Sequence, residues 1–199
     1  MTLLKVVMAV LSALVLPVLL LPVLATAAAP PPLPAPGDDL ENSKRALERG
    51  SEKLKPFKVQ LQNALQVGLA DGPDAAIEVC KLRAPRIAAE SSSSEVRVGR
   101  TSHKLRNPAN APSSWLKPLL ARYLANPDQR DPEAVALEGG GVGYVEPIFV
   151  QSKCLVCHGE EIAEPLLTRI EELYPEDRAT GFRVGDLRGL FWVEFEDAP

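Results

Sequence analysis

Cys154-Leu155-Val156-Cys157-His158 sets two thiols three residues apart and places an imidazole directly after the second. No other stretch of the 199 residues constrains the fold as strongly, because the surrounding chain must present two sulfurs and a ring nitrogen to one partner. Cys-x-x-Cys-His is the attachment pattern of c-type haem. The thiols add to two vinyl groups on one edge of the macrocycle, and the histidine reaches the iron at its centre. One motif predicts one covalently attached haem c, with Cys154 and Cys157 as thioether residues and His158 as proximal iron ligand.

Three rival readings compete for the same residues. Cys80, His103, Cys154 and Cys157 formally supply a Cys3His zinc set, but it leaves His158 unexplained and lacks a second close-spaced pair. A redox dithiol prefers a βαβ setting of the thioredoxin kind, which the surrounding pattern does not offer. A Cys154–Cys157 disulfide is sterically poor at so short a spacing. The haem reading dominates.

Attachment of haem c takes place outside the cytoplasm, and the N-terminus is written for export. Lys5 is the only charge before Asp38, Leu11 to Leu24 is almost wholly apolar, and Ala25-Thr26-Ala27 has the small-x-small exit of a cleavage site. Residues 1–27 therefore read as a signal peptide and the mature protein as periplasmic or otherwise exported. The alternative is an uncleaved anchor over residues 6–29, long enough to cross a bilayer. Residues 28–40 read as a Pro/Ala-rich linker and 41–197 as one folded domain. The remaining roughly 170 residues suffice for a single buried core. With 22 Lys+Arg against 26 Asp+Glu, the net charge of −4 excludes a dedicated nucleic-acid binder.

Along the domain, Leu47, Leu54, Phe57, Leu61, Ala64, Leu65 and Gly68 form one apolar stripe, predicting a long N-terminal helix that Pro56 kinks or divides. Asp71-Gly72-Pro73 opens a second helix whose apolar face carries Ala76, Ile77, Cys80, Ala84 and Ile87, with Pro85 interrupting it. Residues 95–104 alternate and predict a strand with Val96 and Val98 on one face. Ser113 or Ser114 caps a third helix, with Trp115, Leu119, Leu120 and Tyr123 on its apolar side. Residues 131–143 read as a loop ending in three glycines, which lacks the lysine and hydroxyl of a phosphate loop. Tyr144 to Gln151 reads as a strand with Pro147 near an edge or bulge. Ile162 to Leu173 is a short helix, and Thr180 to Glu196 reads as strand, turn and strand, the turn near Gly185-Asp186. Helices first and strands later give an α+β domain with an antiparallel sheet.

The sixth iron ligand is not methionine, since Met1 and Met8 are the only two and both leave with the signal peptide. Cys80 and His103 remain. Thioether formation consumes the other two cysteines, so Cys80 is an odd thiol in an oxidising compartment, where iron binding would protect it. His103 lies among Arg97, Arg100, Lys104 and Arg106, a basic cluster that is either a solvated face or a cradle for the haem propionates. Arg100, Lys104 and Arg106 are the candidate propionate contacts.

Gly72 to Cys80 (GPDAAIEVC), Ala84 to Ala88 (APRIA), Val96 to Asn110 (VRVGRTSHKLRNPAN), Pro147 to Gly159 (PIFVQSKCLVCHG), Tyr174-Pro175, Gly181-Phe182 and Gly185 to Gly189 (GDLRG) resemble a family of PAS-like c-type haem domains first described as a domain of unknown function. The resemblance spans about Leu61 to Val193. Val98-Gly99 departs from it, since the family is more basic before Arg100. The resemblance implies a PAS-like antiparallel sheet flanked by helices, haem attached at Cys154 and Cys157, His158 as proximal ligand and Cys80 as distal ligand. A thiolate donor lowers the potential, which argues for a redox or gas sensor, with a low-potential electron-transfer cytochrome as the alternative. In the sensor reading, reduction weakens the iron–Cys80 bond, opens the distal position to a diatomic gas and moves the Cys80 helix. No acid–base constellation beyond His103 supports a peroxidase-like enzyme, so no catalysis is expected. The expected partners are a redox or signalling protein and a diatomic gas, with a homodimer open; a membrane enters only where the N-terminal segment stays uncleaved.

Overall fold

The computed structural model describes the backbone of residues 36–196 and the side chains from residue 41. The expected signal peptide at 1–27, the alternative anchor at 6–29 and the first part of the expected linker lie outside the described residues. Helix α1 runs from Pro36 to Ala70, so the last five residues of the expected linker are already helical. Its stripe buries Ala46, Leu54 and Phe57 against the sheet. Pro56 neither divides nor ends it. Pro56 and Glu52, whose carbonyl loses its donor, are both on the exposed side, where water replaces the missing bond.

Helix α2, Pro73–Glu90, begins with Pro73 in the first turn, after Gly72 at φ 106°. Ala76, Ile77 and Ile87 are its buried residues, and Pro85, again exposed, leaves it unbroken. The two helices cross closely at Gly68, where an added Cβ would stand 2.6 Å from the Ala76 Cα.

The four-stranded antiparallel sheet has the order β1-β4-β3-β2, with β1 Val96–Thr101, β2 Glu133–Ala136, β3 Val142–Phe149 and β4 Leu187–Phe195. Register places Val193 of β4 opposite Val98 of β1 on one side and Tyr144 of β3 on the other. Those three side chains, with Val142, Phe195 and Ile87, meet α1 and form one core. The opposite face, carrying Val145, Leu187 and Leu190, is covered by α3, Leu116–Ala125, through Leu116, Leu119, Leu120 and Tyr123. The chain is thus an α+β domain with a long N-terminal helix, helices covering both sheet faces.

Three expectations are corrected. Residues 131–143 are not a loop: Glu133–Ala136 pairs with β3 through a hairpin whose tight end needs Gly139 and Gly140 at positive φ. Neither Ser113 nor Ser114 caps α3 through its side chain; Trp115 occupies the cap, and the Ser113 carbonyl accepts from the Leu116 and Lys117 N–H groups. Residues 180–186 form no strand; only Leu187–Phe195 does, although the turn at Gly185 stands. Pro147 lies in a central strand, but beyond the residues that β2 pairs and beside a register shift at Ile148/Phe149, so its missing N–H interrupts nothing on that side. The excursion between β3 and β4 carries the cysteine motif, and its base is closed by Val150 N–H to Asp186 and Gly185 N–H to Val150.

Candidate functional site

The motif forms as β3 ends. A 3₁₀ turn over Ser152–Cys154 runs directly into one helical turn, α4, Leu155–His158. Residues three apart share a face in such turns, so Cys154 and Cys157 fall on one side. The turn is closed by Gly159 N–H to the Leu155 carbonyl at 2.9 Å, and a Cβ on Gly159 would stand 2.6 Å from that oxygen. Cys157 packs with Ile77 of α2 and with Leu166, Ile170 and Tyr174 on and after α5, Glu164–Leu173; Cys154 packs with Val150, Ala179 and Phe182. Both thiols are free and half-buried, so no disulfide joins them.

His158 is fixed from behind. Its Nδ1 stands 2.6 Å from the Ala179 carbonyl, which makes Nδ1 the protonated nitrogen and leaves the Nε2 lone pair free. Phe182 abuts the ring edge-on at 6.3 Å. The segment carrying these contacts is laced to the motif by Phe182 N–H to His158 O and Gly181 N–H to Gly159 O. Burial, with the nearby charges of Arg188, Arg106 and Arg100, pushes the His158 pKa down to about 3. The imidazole is therefore neutral and a competent metal ligand at ordinary pH.

Cys80 comes to the same place from α2. Burial raises its thiol pKa, opposed by the charges of Arg100 and Arg106; Cys80 in turn raises the pKa of Cys157 and of Tyr174. The fold thus gathers Cys80, Cys154, Cys157, His158, Arg100 and Arg106, which are far apart in sequence. His103 is placed elsewhere. It is exposed, stands edge-on to Phe182 at 5.7 Å, feels the charge of Arg188, and lines a separate cavity of about 230 Å³ with Tyr123, Phe149 and Asp186. Lys104 is committed as well, donating to the Thr180 carbonyl at 3.1 Å and lying 4.8 Å over the Phe182 ring. Among the described residues no three His, Cys, Asp or Glu side chains form a metal-holding group, so the Cys3His zinc set with His103 is not assembled.

Arg106 tests whether an acidic group fits here. Its side chain is 12% exposed; one Nη2 donates to Cys157 O at 2.6 Å and to Asp177 Oδ2 at 3.0 Å, while Nε–H is buried with no acceptor. A buried donor left unpaired costs about 1–3 kcal/mol, so such groups usually mark a missing partner. A ligand with carboxylates beside the two motif sulfurs would supply it.

The Tll0287-like family model matches residues 38–195, nearly the whole of the described chain. The chain belongs to the Tll0287-like family. Among solved structures it is similar to the crystal structure of the cyanobacterial haem protein Tll0287, at 24% identity over 80% of this chain and 95% of that one, with a TM-score of 0.48. No curated protein matches it.

Two further residues at the candidate site of this Tll0287-like domain escape sequence reasoning. Arg188 is half-buried, donates to Ser102 Oγ at 2.9 Å and to the Lys104 carbonyl at 3.3 Å, and has its pKa lowered to about 10 by desolvation and by Arg100 and Arg106. Asp177 takes Arg106 on one oxygen and the Ala179 N–H, at 2.8 Å, on the other. The only sequence signal for Arg188 is its place in Gly185 to Gly189; Asp177 has none beyond lying after Tyr174-Pro175.

Proposed function

We propose that this chain is an exported haem protein, holding one haem through thioether bonds from Cys154 and Cys157, with His158 and Cys80 as axial ligands, and that it serves as a redox or gas sensor domain. The observation that carries the reading is the held imidazole. His158 follows the second motif cysteine, its Nδ1 is committed to Ala179, and Nε2 alone is left for a metal. The family match includes both Cys80 and the motif.

A haem supplies a redox-active iron with two axial positions. The chain supplies everything that places it. The Cys154–Cys157 turn sets the attachment edge, and the Ala179 carbonyl fixes the tautomer and angle of His158 while making it a stronger donor. Cys80 is preferred over His103 because it shares surroundings with Cys157, whereas His103 lies with Phe182 and an outer cavity.

The sensor role rests on the position of Cys80. Burial favours its neutral thiol and outweighs the two guanidinium charges that favour its thiolate, so Cys80 donates as a thiolate only while iron holds it and is otherwise released as the thiol. It sits on α2, whose Ile77 packs on α5 and whose opposite neighbour is α1. A change in Cys80 binding therefore reaches the long helix through α2, and a redox or signalling partner reads it there. The electron-carrier reading is favoured by Val156 and Val184, apolar and more than half exposed in and near the motif segment, where a partner protein would dock.

The test is the absorption spectrum of the full chain from a host that attaches haem c, ferric and dithionite-reduced, with and without CO, beside Cys80→Ala. A covalent-haem spectrum whose low-spin thiolate signature disappears in Cys80→Ala, with CO binding after reduction, is expected. Low-spin haem that refuses CO in both states gives the carrier instead. Wild-type protein without haem absorption overturns the proposal.

A further inference from the structure

Charge around the motif does not balance. Arg100 on β1, Arg106 on the loop after it and Arg188 on β4 each act electrostatically on His158, so three positive charges are felt by one neutral ring. The only carboxylate among these groups is Asp177, 7% exposed and bound to Arg106. The other polar neighbours are Cys80 on α2, Cys154 and Cys157 on the motif turn, and Tyr174 after α5, which is uncharged. Three positive charges against one negative leave two uncompensated in a largely buried space. One of those guanidiniums also has a buried N–H with no acceptor, the Arg106 Nε.

We propose that Arg106 and Arg188 form a two-point clamp for a ligand bearing two carboxylates, and that this clamp, rather than Lys104, holds the propionates of the haem. The assignment rests on the haem reading and deepens it. Two positive charges in excess match two carboxylates. Arg106 offers Nε–H from a guanidinium whose Nη2 is already fixed by Cys157 O and Asp177, and Arg188 is fixed through Nη1 by Ser102 and the Lys104 carbonyl. Both forks are thus held before any ligand arrives, the preorganisation that charge-assisted carboxylate recognition rewards. Arg100 contributes charge from the sheet. Lys104 donates to the Thr180 carbonyl and, like Arg188, faces the Phe182 ring, but the charges acting on His158 are those of the three arginines.

The experiment is the midpoint potential of the haem-loaded full chain between about pH 5 and pH 8, where an unperturbed carboxylate is ionised throughout. It compares wild type with Arg106→Gln, Arg188→Gln, Arg188→Lys and Lys104→Gln. In wild type both carboxylates stay ionised, and they add no slope. Without Arg188 a half-buried carboxylate loses its counter-charge and its pKa rises into the window. Reduction then favours its protonation, so the potential of Arg188→Gln falls as pH rises. Arg106→Gln adds the same extra slope to that of wild type, Arg188→Lys returns part of the wild-type profile, and Lys104→Gln leaves the wild-type profile unchanged. A profile in Arg188→Gln no steeper than that of wild type, or extra slope in Lys104→Gln as in the arginine variants, overturns the clamp. Wild type that carries no covalent haem fails the haem reading instead, which the spectrum reports before any potential is measured.

Discussion

Asp177 is the single side chain whose loss should be felt by both halves of the site. One oxygen pairs with Arg106 at 3.0 Å, with exposures of 7% and 12%, and the other accepts the Ala179 N–H at 2.8 Å. The carbonyl of the same Ala179 residue orients His158. Asp177→Asn keeps an acceptor for Ala179 but removes the one carboxylate among three guanidiniums. Breaking a buried pair from one side costs about 3–5 kcal/mol, because the remaining charge stays buried. The lower end applies here, since the partner retains its bond to Cys157 O. Asp177→Asn should therefore cost about 3 kcal/mol, and Asp177→Ala about 1 kcal/mol more through the lost Ala179 bond. For a domain of this size about 3 kcal/mol lowers the melting temperature by about 6–12 °C. Urea denaturation of wild type and both variants gives the free energies, with Glu160→Gln as control: its partner Arg183 is 75% exposed, and its loss should leave stability unchanged. An Asp177→Asn loss below about 1 kcal/mol would show that solvent screens this pair like a surface one, and the reasoning would fail.

Gly189→Ala should destabilise by more than about 2 kcal/mol, since its Cβ would run into the Thr101 carbonyl and β1 would have to move; Gly139→Ala, at φ 98° in open space, should cost only about 1–2 kcal/mol. Urea midpoints of the two variants rank them, and the reverse order would refute the packing argument. Stability should also fall in acid through His158. Its folded pKa, about 3, lies below the unfolded 6.5, so its contribution is complete above pH 6.5 and is lost as pH drops toward 3. Linkage gives a loss of about 2 kcal/mol between pH 8 and pH 5, with the same sign if iron binds the neutral ring. Equal or greater stability at pH 5, or an undiminished slope in His158→Asn, would refute it.

What could be read from the sequence is what depends on local pattern. The α1 stripe is periodic over many turns, and Leu54 and Phe57 are buried where it places them. The two mid-helix prolines looked like breaks because sequence does not say which way a freed carbonyl faces; both face solvent, where the break costs little. Strand β2 was invisible because Glu133-Ala134-Val135-Ala136 has almost no strand propensity of its own; it exists through pairing with β3 and the glycine turn that folds it back. The reverse holds at 180–186, where residues alternate like a strand but spend their backbone bonds on His158, Gly159 and Val150.

The candidate site divides along the same line. Cys154, Cys157 and His158 are legible because their chemistry is a spacing within five residues. Cys80 has no local signature; resemblance alone points to it, and the fold brings it within electrostatic reach of Cys157 from a helix far upstream. Arg188 is harder still. An arginine beside a glycine in a strand reads as surface charge, and only pairing of β4 with β1 brings it to Arg100 and Arg106. Sequence counts charges over the whole chain, where acid exceeds base. The fold sorts them, bringing three half-buried arginines near one carboxylate in a domain of net negative charge. That local excess, opposite in sign to the total, is the feature a bound dianion would complete.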